Sequence, residues 1–175
     1  CSLLKINTAA FSNVYLHACA LGEQSGRLLL HKSIENPGDH QSYDRGDSRE
    51  TLEVDIYCGD ELLADLPRID LIKIDVQGAE CSVFKGLDKL IKRSLPNLAI
   101  ICEFYPKGLA FAGYSATDLC DLLLSYDLEL KVIDHIKHTL WDFSEMEIRA
   151  WIADVDANPE KEGFMNLLLL PKAAK

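Results

Sequence analysis

The sequence predicts an α/β fold built on a doubly wound, mainly parallel sheet, and three observations predict it. Strand-like runs alternate with runs at helical spacing along the chain. Leu98 to Phe104 is apolar nearly throughout, as expected of a strand covered on both faces. Asp70 to Asp75 ends in a carboxylate and passes at once through a turn containing Gly78 into a helix. In doubly wound sheets, ligands bind outside such carboxyl ends.

The elements follow in order. Asn13 to Ala20 alternates, with Val14, Leu16, Ala18 and Ala20 on one face, and reads as a strand. Gly26 to Leu30 reads as a shorter one. Lys32 to Glu50 is polar and aperiodic and contains Pro37, Gly38 and Gly46, so it is a long loop of the kind that is often functional. Leu52 to Tyr57 returns to strand alternation. After the Asp70–Asp75 strand, Val83, Phe84, Leu87, Leu90 and Ile91 mark one amphipathic helix from Ala79 to Arg93. Pro96 and Asn97 separate it from Leu98–Phe104, which is expected beside Asp70–Asp75. Ser115 and Asp118 form a capping-box-like signal that opens a second helix, with Leu119, Leu122, Leu123 and Tyr126 as its apolar stripe. Leu128 to Ile133 reads as a strand and Ser144 to Val155 as a helix. Phe164 to Leu170 reads as a closing strand, antiparallel to its neighbours. With no repeats, low-complexity tracts or linkers, residues 1–175 are expected to form one domain.

Composition narrows the function. Lys and Arg total 18 against 28 Asp and Glu, a net charge of −10. So acidic a surface repels phosphate backbones, and no Lys/Arg block with interleaved aromatics appears, so nucleic acid is excluded as a partner. No apolar run, Leu167 to Leu170 included, approaches the ~20 residues that cross a bilayer, so no membrane association is expected. None of the six cysteines forms a C-x-x-C pair, and their spacings fit no zinc or disulfide framework. Reduced thiols in a cytoplasmic protein are the expectation. His135 and His138 stand at i, i+3 without a third ligand, so no metal is expected.

The chemistry lies in Ile69 to Leu87. Period two places Lys73 and Asp75 on one side of the strand, and Glu80 stands where the helix opens, a position that suits a carboxylate. Each of these residues also has a purely structural reading: Asp75 paired with Lys73, and Glu80 as a helix N-terminal charge. Leu71, Ile72, Lys73, Ile74, Asp75, Val76, Gly78, Ala79 and Glu80, followed by Lys85 and Gly86, resemble the signature of the FkbM methyltransferase family, L-I-K-I-D-V-E-G-A-E and a helix ending in K-G. The flanks agree. Asn13-Val14, Ala20-Leu21-Gly22 and Ser25-Gly26 resemble the family's N-V…A-L-G…S-G stretch, and Asn36 with Gly38 resembles its N-x-G loop. Asp60 matches the acid before the signature strand, and Asn166 to Pro171 the final strand. The resemblance covers nearly the whole chain.

The resemblance implies a Rossmann-like class I methyltransferase fold with S-adenosyl-L-methionine as cofactor. The acceptor would be a hydroxyl on a small molecule, sugar or natural product. Asp75, Lys73 and Glu80 would be catalytic. Ala20, Leu21, Gly22 and Asp75 would bind cofactor, and Asn36 substrate. By position alone, His40 in the long loop and Glu103 and Tyr105 after the Leu98–Phe104 strand could also meet substrate, against the readings of His40 as a solvated loop histidine and Tyr105 as packing on Pro106. Two departures stand out. Gln77 occupies a position where the family often has Glu. The family's first strand with its glycine-rich turn, and its second strand ending in a ribose-binding acid, have no counterpart here. Cys1 to Ala10 resembles the helix after that second strand. The expectation is therefore a sheet with its first two strands missing, a central gap between the Asn13 and Asp70 strands, and weak or no binding of the cofactor by the chain as it stands. Two other readings remain open: a noncatalytic binding domain on the same fold, and a nucleotide-binding protein using Asp75-x-x-Gly78, although no G-x-x-x-x-G-K-[ST] loop is present.

Overall fold

A computed structural model describes residues 2–33, 36, 38–158, 160 and 163–172; Cys1 and Pro37 lie outside the described residues. Two mixed sheets carry the α/β fold. In the first, β1 (Ala20–Gly22) and β2 (Gly26–His31) flank β3 (Thr51–Cys58). Here β1 runs parallel to β3, and β2 antiparallel, with Gly26 opposite Ile56. The second sheet has the order β4-β5-β8-β6-β7, from β4 (Leu71–Ile74), β5 (Ala99–Phe104), β6 (Glu129–Asp134), β7 (Thr139–Asp142) and β8 (Met165–Leu170).

The expected pairing of β4 beside β5 is present, and the closing strand β8 is antiparallel to both neighbours. The expectation of a mainly parallel sheet needs correction: two pairings are parallel and four antiparallel among the described residues. The cause is topological. β5 and β6 point the same way, but β8 returns between them and converts one parallel contact into two antiparallel ones. The β6–β7 hairpin adds another. β1 and β4 end as the edge strands of separate sheets.

The core lies on one face of the second sheet. Ile100, Cys102 and Phe104 of β5 and Leu167 and Leu169 of β8 are fully buried there. Against them pack Phe84, Leu90 and Ile91, then Leu119 and Leu123, then Ile148 and Ile152. Each such Leu, Ile or Phe contributes about 1.5–3 kcal/mol on burial. Ala99, Ile101 and Glu103 alternate with these residues and are only half-buried, and Leu71 on the same open face is 61% exposed. β5 is therefore sealed on one face, not two as its unbroken apolar run suggests.

Local differences from expectation also have physical causes. Of Asn13 to Ala20 only Ala20 enters a strand, and Tyr15 is 83% exposed. Alternation supplies a face, but a strand also needs a hydrogen-bonded partner. The helix expected over Ala79–Arg93 is two helices, α3 (Glu80–Gly86) and α4 (Asp88–Ser94). Asp60 starts the second, because its carboxylate accepts the backbone N–H groups of Lys89 and Leu90 at 3.0 and 2.8 Å. α1 (Ser2–Thr8) falls in the stretch that resembles a family helix, whereas α2 (Gly59–Leu62), α5 (Pro106–Phe111) and β7 arise without a clear periodic signal. The last helices, α6 (Ala116–Ser125) and α7 (Glu145–Ala157), both open with complete capping boxes, from Ser115 with Asp118 and from Ser144 with Glu147.

Candidate active site

The turn after β4 is braced from below. Gln77 and Gly78 both have positive φ, 55° and 104°. A Cβ on Gly78 would come within 2.4 Å of the Gly108 backbone in α5, so both conformation and space demand glycine. The Glu80 Oε1 atom accepts the N–H groups of Val76 and Gly78, each at 3.2 Å. Its Oε2 is buried, with no hydrogen-bond partner among the described residues. Burial raises the proton affinity of this carboxyl, while the amides of the turn oppose the rise. Glu80 thus ties the turn to α3 and stands outside the cavity described next.

Above the turn, four side chains meet. Lys73 Nζ pairs with Asp75 Oδ2 at 2.6 Å, as their same-side placement predicts. Gln77 Nε2 donates both to Asp75 Oδ1 at 3.2 Å and to Glu103 Oε2 at 2.9 Å. Desolvation pushes the Glu103 carboxyl up to about 7, aided by the charges of Asp75, Glu80 and Asp39 and opposed by Lys73. A half-ionised carboxyl near neutrality suits proton transfer.

Asp75 and Gln77 form the polar end of a cavity of about 610 Å³ between the two sheets. Ala20 and Leu21 of β1 line one side and Ile72 to Val76 the other, so the two edge strands share one cavity. Gly22 is absent from the wall. It packs against α3 instead, and a Cβ on Gly86 would sit 1.9 Å from the Gly22 carbonyl oxygen. His40 lines the cavity, and its Nδ1 accepts the Ser33 N–H at 3.1 Å. Asn36 is held in its own loop, its Oδ1 accepting the Gly38 N–H at 3.0 Å. Tyr105 packs its ring against Gly108, and Glu103 joins the site only through Gln77.

Sequence reasoning missed the aromatic wall of Tyr43, Phe111 and Tyr114. Tyr43 is nearly sealed and stacks on Phe111 with ring centroids 5.6 Å apart, and the Arg45 guanidinium lies over both rings. Tyr43 lies in the aperiodic loop and Phe111 in an unforeseen helix, so neither carried a usable signal. Among the described residues no group of three or more His, Cys, Asp or Glu is arranged to hold a metal ion. No helix among them is long and apolar enough to cross a membrane.

Comparison with known proteins finds a family match that spans the turn. Residues 3–130 match the family model described as the methyltransferase FkbM domain. A protein named Methyltransferase 1, from Beauveria bassiana (strain ARSEF 2860), is 28% identical over 98 residues. That match takes in 44% of this chain and spans only 39% of the relative's own length. No solved structure matches.

Proposed function

We propose, from the premise that the chain belongs to the FkbM methyltransferase family, that it serves S-adenosylmethionine-dependent O-methylation of a small-molecule hydroxyl. The observation that carries the proposal is the cavity between β1 and β4, closed at its polar end by Asp75 and Gln77. Its volume falls within the ~300–1,000 Å³ typical of cofactor sites. Leu21, Leu28, Ile56 and Val83 offer apolar surface to a flat base, and the carboxylates beyond Gln77 favour a sulfonium charge. The residues present therefore fit the cofactor. On this reading the two sheets are halves of one Rossmann-like sheet in one domain, and two strands placed between β1 and β4 would complete it.

S-adenosylmethionine, when bound, supplies a methyl group on a cationic sulfur. The chain's own residues hold the acceptor and manage its proton. Both Asp75 oxygens already receive donors, from Lys73 and Gln77, so Asp75 orients the acceptor hydroxyl and offsets positive charge. Glu103, outside the cavity wall and tied to it by Gln77, takes the proton of an acceptor hydroxyl that reaches past Gln77 as the new O–C bond forms. Gln77 sets the spacing between the two carboxyls, and Glu80 supports all three through the turn. A nucleotide reading of Asp75-x-x-Gly78 fits less well, because the Val76 and Gly78 amides that would meet a phosphate are taken by Glu80.

The test incubates the full-length protein with S-adenosylmethionine and a panel of alcohols and measures S-adenosylhomocysteine release. Turnover that depends on the alcohol and falls in Glu103→Gln supports the reading. Saturable cofactor binding with no turnover on any alcohol would favour a noncatalytic binding domain.

A further inference from the structure

A second cavity, of about 470 Å³, opens at the far end of the same sheet edge. Its wall includes Trp141, Phe143, Trp151 and Phe164, together with Asn166 and Asp134. Every lining residue lies beyond residue 130, where the family match ends. β4, β5 and β6 all finish at this edge, because β8 runs antiparallel to both β5 and β6. The two cavities are joined by a row of side chains. Gln77, in the first wall, donates to Glu103; Glu103 is paired with Asn166 across β5 and β8; Asn166 stands in the second wall. Paired residues point to the same side of a sheet, so this row is continuous. From β4 to β6 is three strand steps of ~4.8 Å, a span of roughly 14 Å.

The wall chemistry selects the ligand. Trp141 is 45% exposed and Phe164 54% exposed, so aromatic surface is presented to solvent instead of being sealed in the core. Phe104 meets Trp151 edge-on, with centroids 5.6 Å apart, which fixes the inner indole. Asp134 offers little to a cation: its Oδ1 already accepts the N–H groups of Ile136 and Lys137, and Lys137 Nζ approaches its Oδ2 at 4.0 Å. An anion would meet that carboxylate in a chain of net charge −10.

We infer that this cavity is an anchoring subsite for an uncharged ring on the methyl acceptor, set roughly 14 Å from the reacting hydroxyl by the strand spacing. The acceptor class is thus an elongated alcohol with a ring at its far end. The inference rests on the proposed methyl transfer for its link to an acceptor. Binding of the ring itself does not depend on it. Interactions remote from the reacting centre hold the hydroxyl in place, so an acceptor lacking the ring should react more slowly as well as bind less tightly.

The chain's two tryptophans, Trp141 and Trp151, both line this cavity, so intrinsic fluorescence reports on it directly. The probes are 4-nitrobenzyl alcohol, its anionic counterpart 4-nitrobenzoate, and benzyltrimethylammonium, titrated without S-adenosylmethionine. The expected result is saturable quenching by the alcohol, with at least fivefold weaker binding of either ion. Phe164→Ala removes a largely exposed ring and should weaken the alcohol at least fivefold with the melting temperature unchanged. Trp141→Phe should retain binding with a smaller signal. Quenching that rises linearly without saturation, equal affinity in Phe164→Ala, or a preference for either ion would overturn the inference. Because the cofactor is absent from the titration, a failure of the methyltransferase reading leaves this result standing, and the reverse also holds.

Discussion

Gln77 donates its side-chain amide to Glu103 at 2.9 Å from a backbone held at φ 55°, linking the turn after β4 to the end of β5. That bond makes two strand ends one site, and it places a neutral donor between the Asp75 and Glu103 carboxyls.

The Glu103 carboxyl should titrate near 7, well above the ordinary value of 4.5. Carbon-detected NMR of Glu103 Cδ measures this directly. Asp75→Asn removes a like charge and should lower the midpoint, whereas Lys73→Met removes an opposing charge and should raise it. A midpoint near 4.5 that neither variant moves would remove Glu103 as the proton acceptor.

Stability should follow the same group. Its proton affinity is raised in the folded state, so between pH 4.5 and about 7 the fold holds more proton than the unfolded chain. Glu103 therefore supports the fold fully below 4.5, and that support is lost as pH rises through about 7. Glu103→Gln should raise the melting temperature relative to the parent above pH 7 and change it little at pH 4. The opposite pH ordering would contradict the assigned direction.

Asp75→Asn separates catalysis from structure. The Lys73–Asp75 pair is exposed, with side chains 61% and 42% accessible, so its loss should cost no more than about 1 kcal/mol. The rate of methyl transfer should instead fall by ~10²-fold, the scale of a lost positioning contact. A full rate with a clearly lowered melting point would make Asp75 a structural residue. Glu80→Gln should show the reverse balance, because Glu80 holds two amides of the turn and stands outside the cavity wall.

Gly86→Ala tests the contact between the first sheet and α3. Its Cβ would lie 1.9 Å from the Gly22 carbonyl oxygen, backbone that cannot rotate away. Overpacking of this kind costs about 1–3 kcal/mol, a fall of roughly 2–12 °C in melting temperature for a chain of this size. An unchanged melting curve would show that β1 is free to move off α3.

Much of this was legible because it is local. The Ser115–Asp118 cap, the Lys73–Asp75 pair and the glycine at 78 each follow from residues within a few positions of one another. The break at Leu87 was not legible, because it depends on Asp60 reaching the amides of Lys89 and Leu90 from 29 and 30 residues away. Nor was the sheet's antiparallel character, since strand order decides it and β8 enters from the end of the chain. Glu103 showed in sequence only as a carboxyl at a strand end. Its partnership with Gln77 needs the positive φ that aims the amide across the strands. The aromatic wall of Tyr43 and Phe111 joins an aperiodic loop to a short helix, and no period encodes that contact.

The most direct test of the cavity as the cofactor site is calorimetric titration of the full-length protein with S-adenosylmethionine, beside Ala20→Phe. Ala20 lines the cavity from the edge strand β1, so the added ring fills the space a cofactor would take. For a protein that carries the two further strands the account predicts saturable binding, and at least tenfold weaker binding to Ala20→Phe at an unchanged melting temperature, whereas residues 1–175 alone are expected to bind weakly or not at all. Equal affinity in the two proteins, or no binding to the parent, would contradict it.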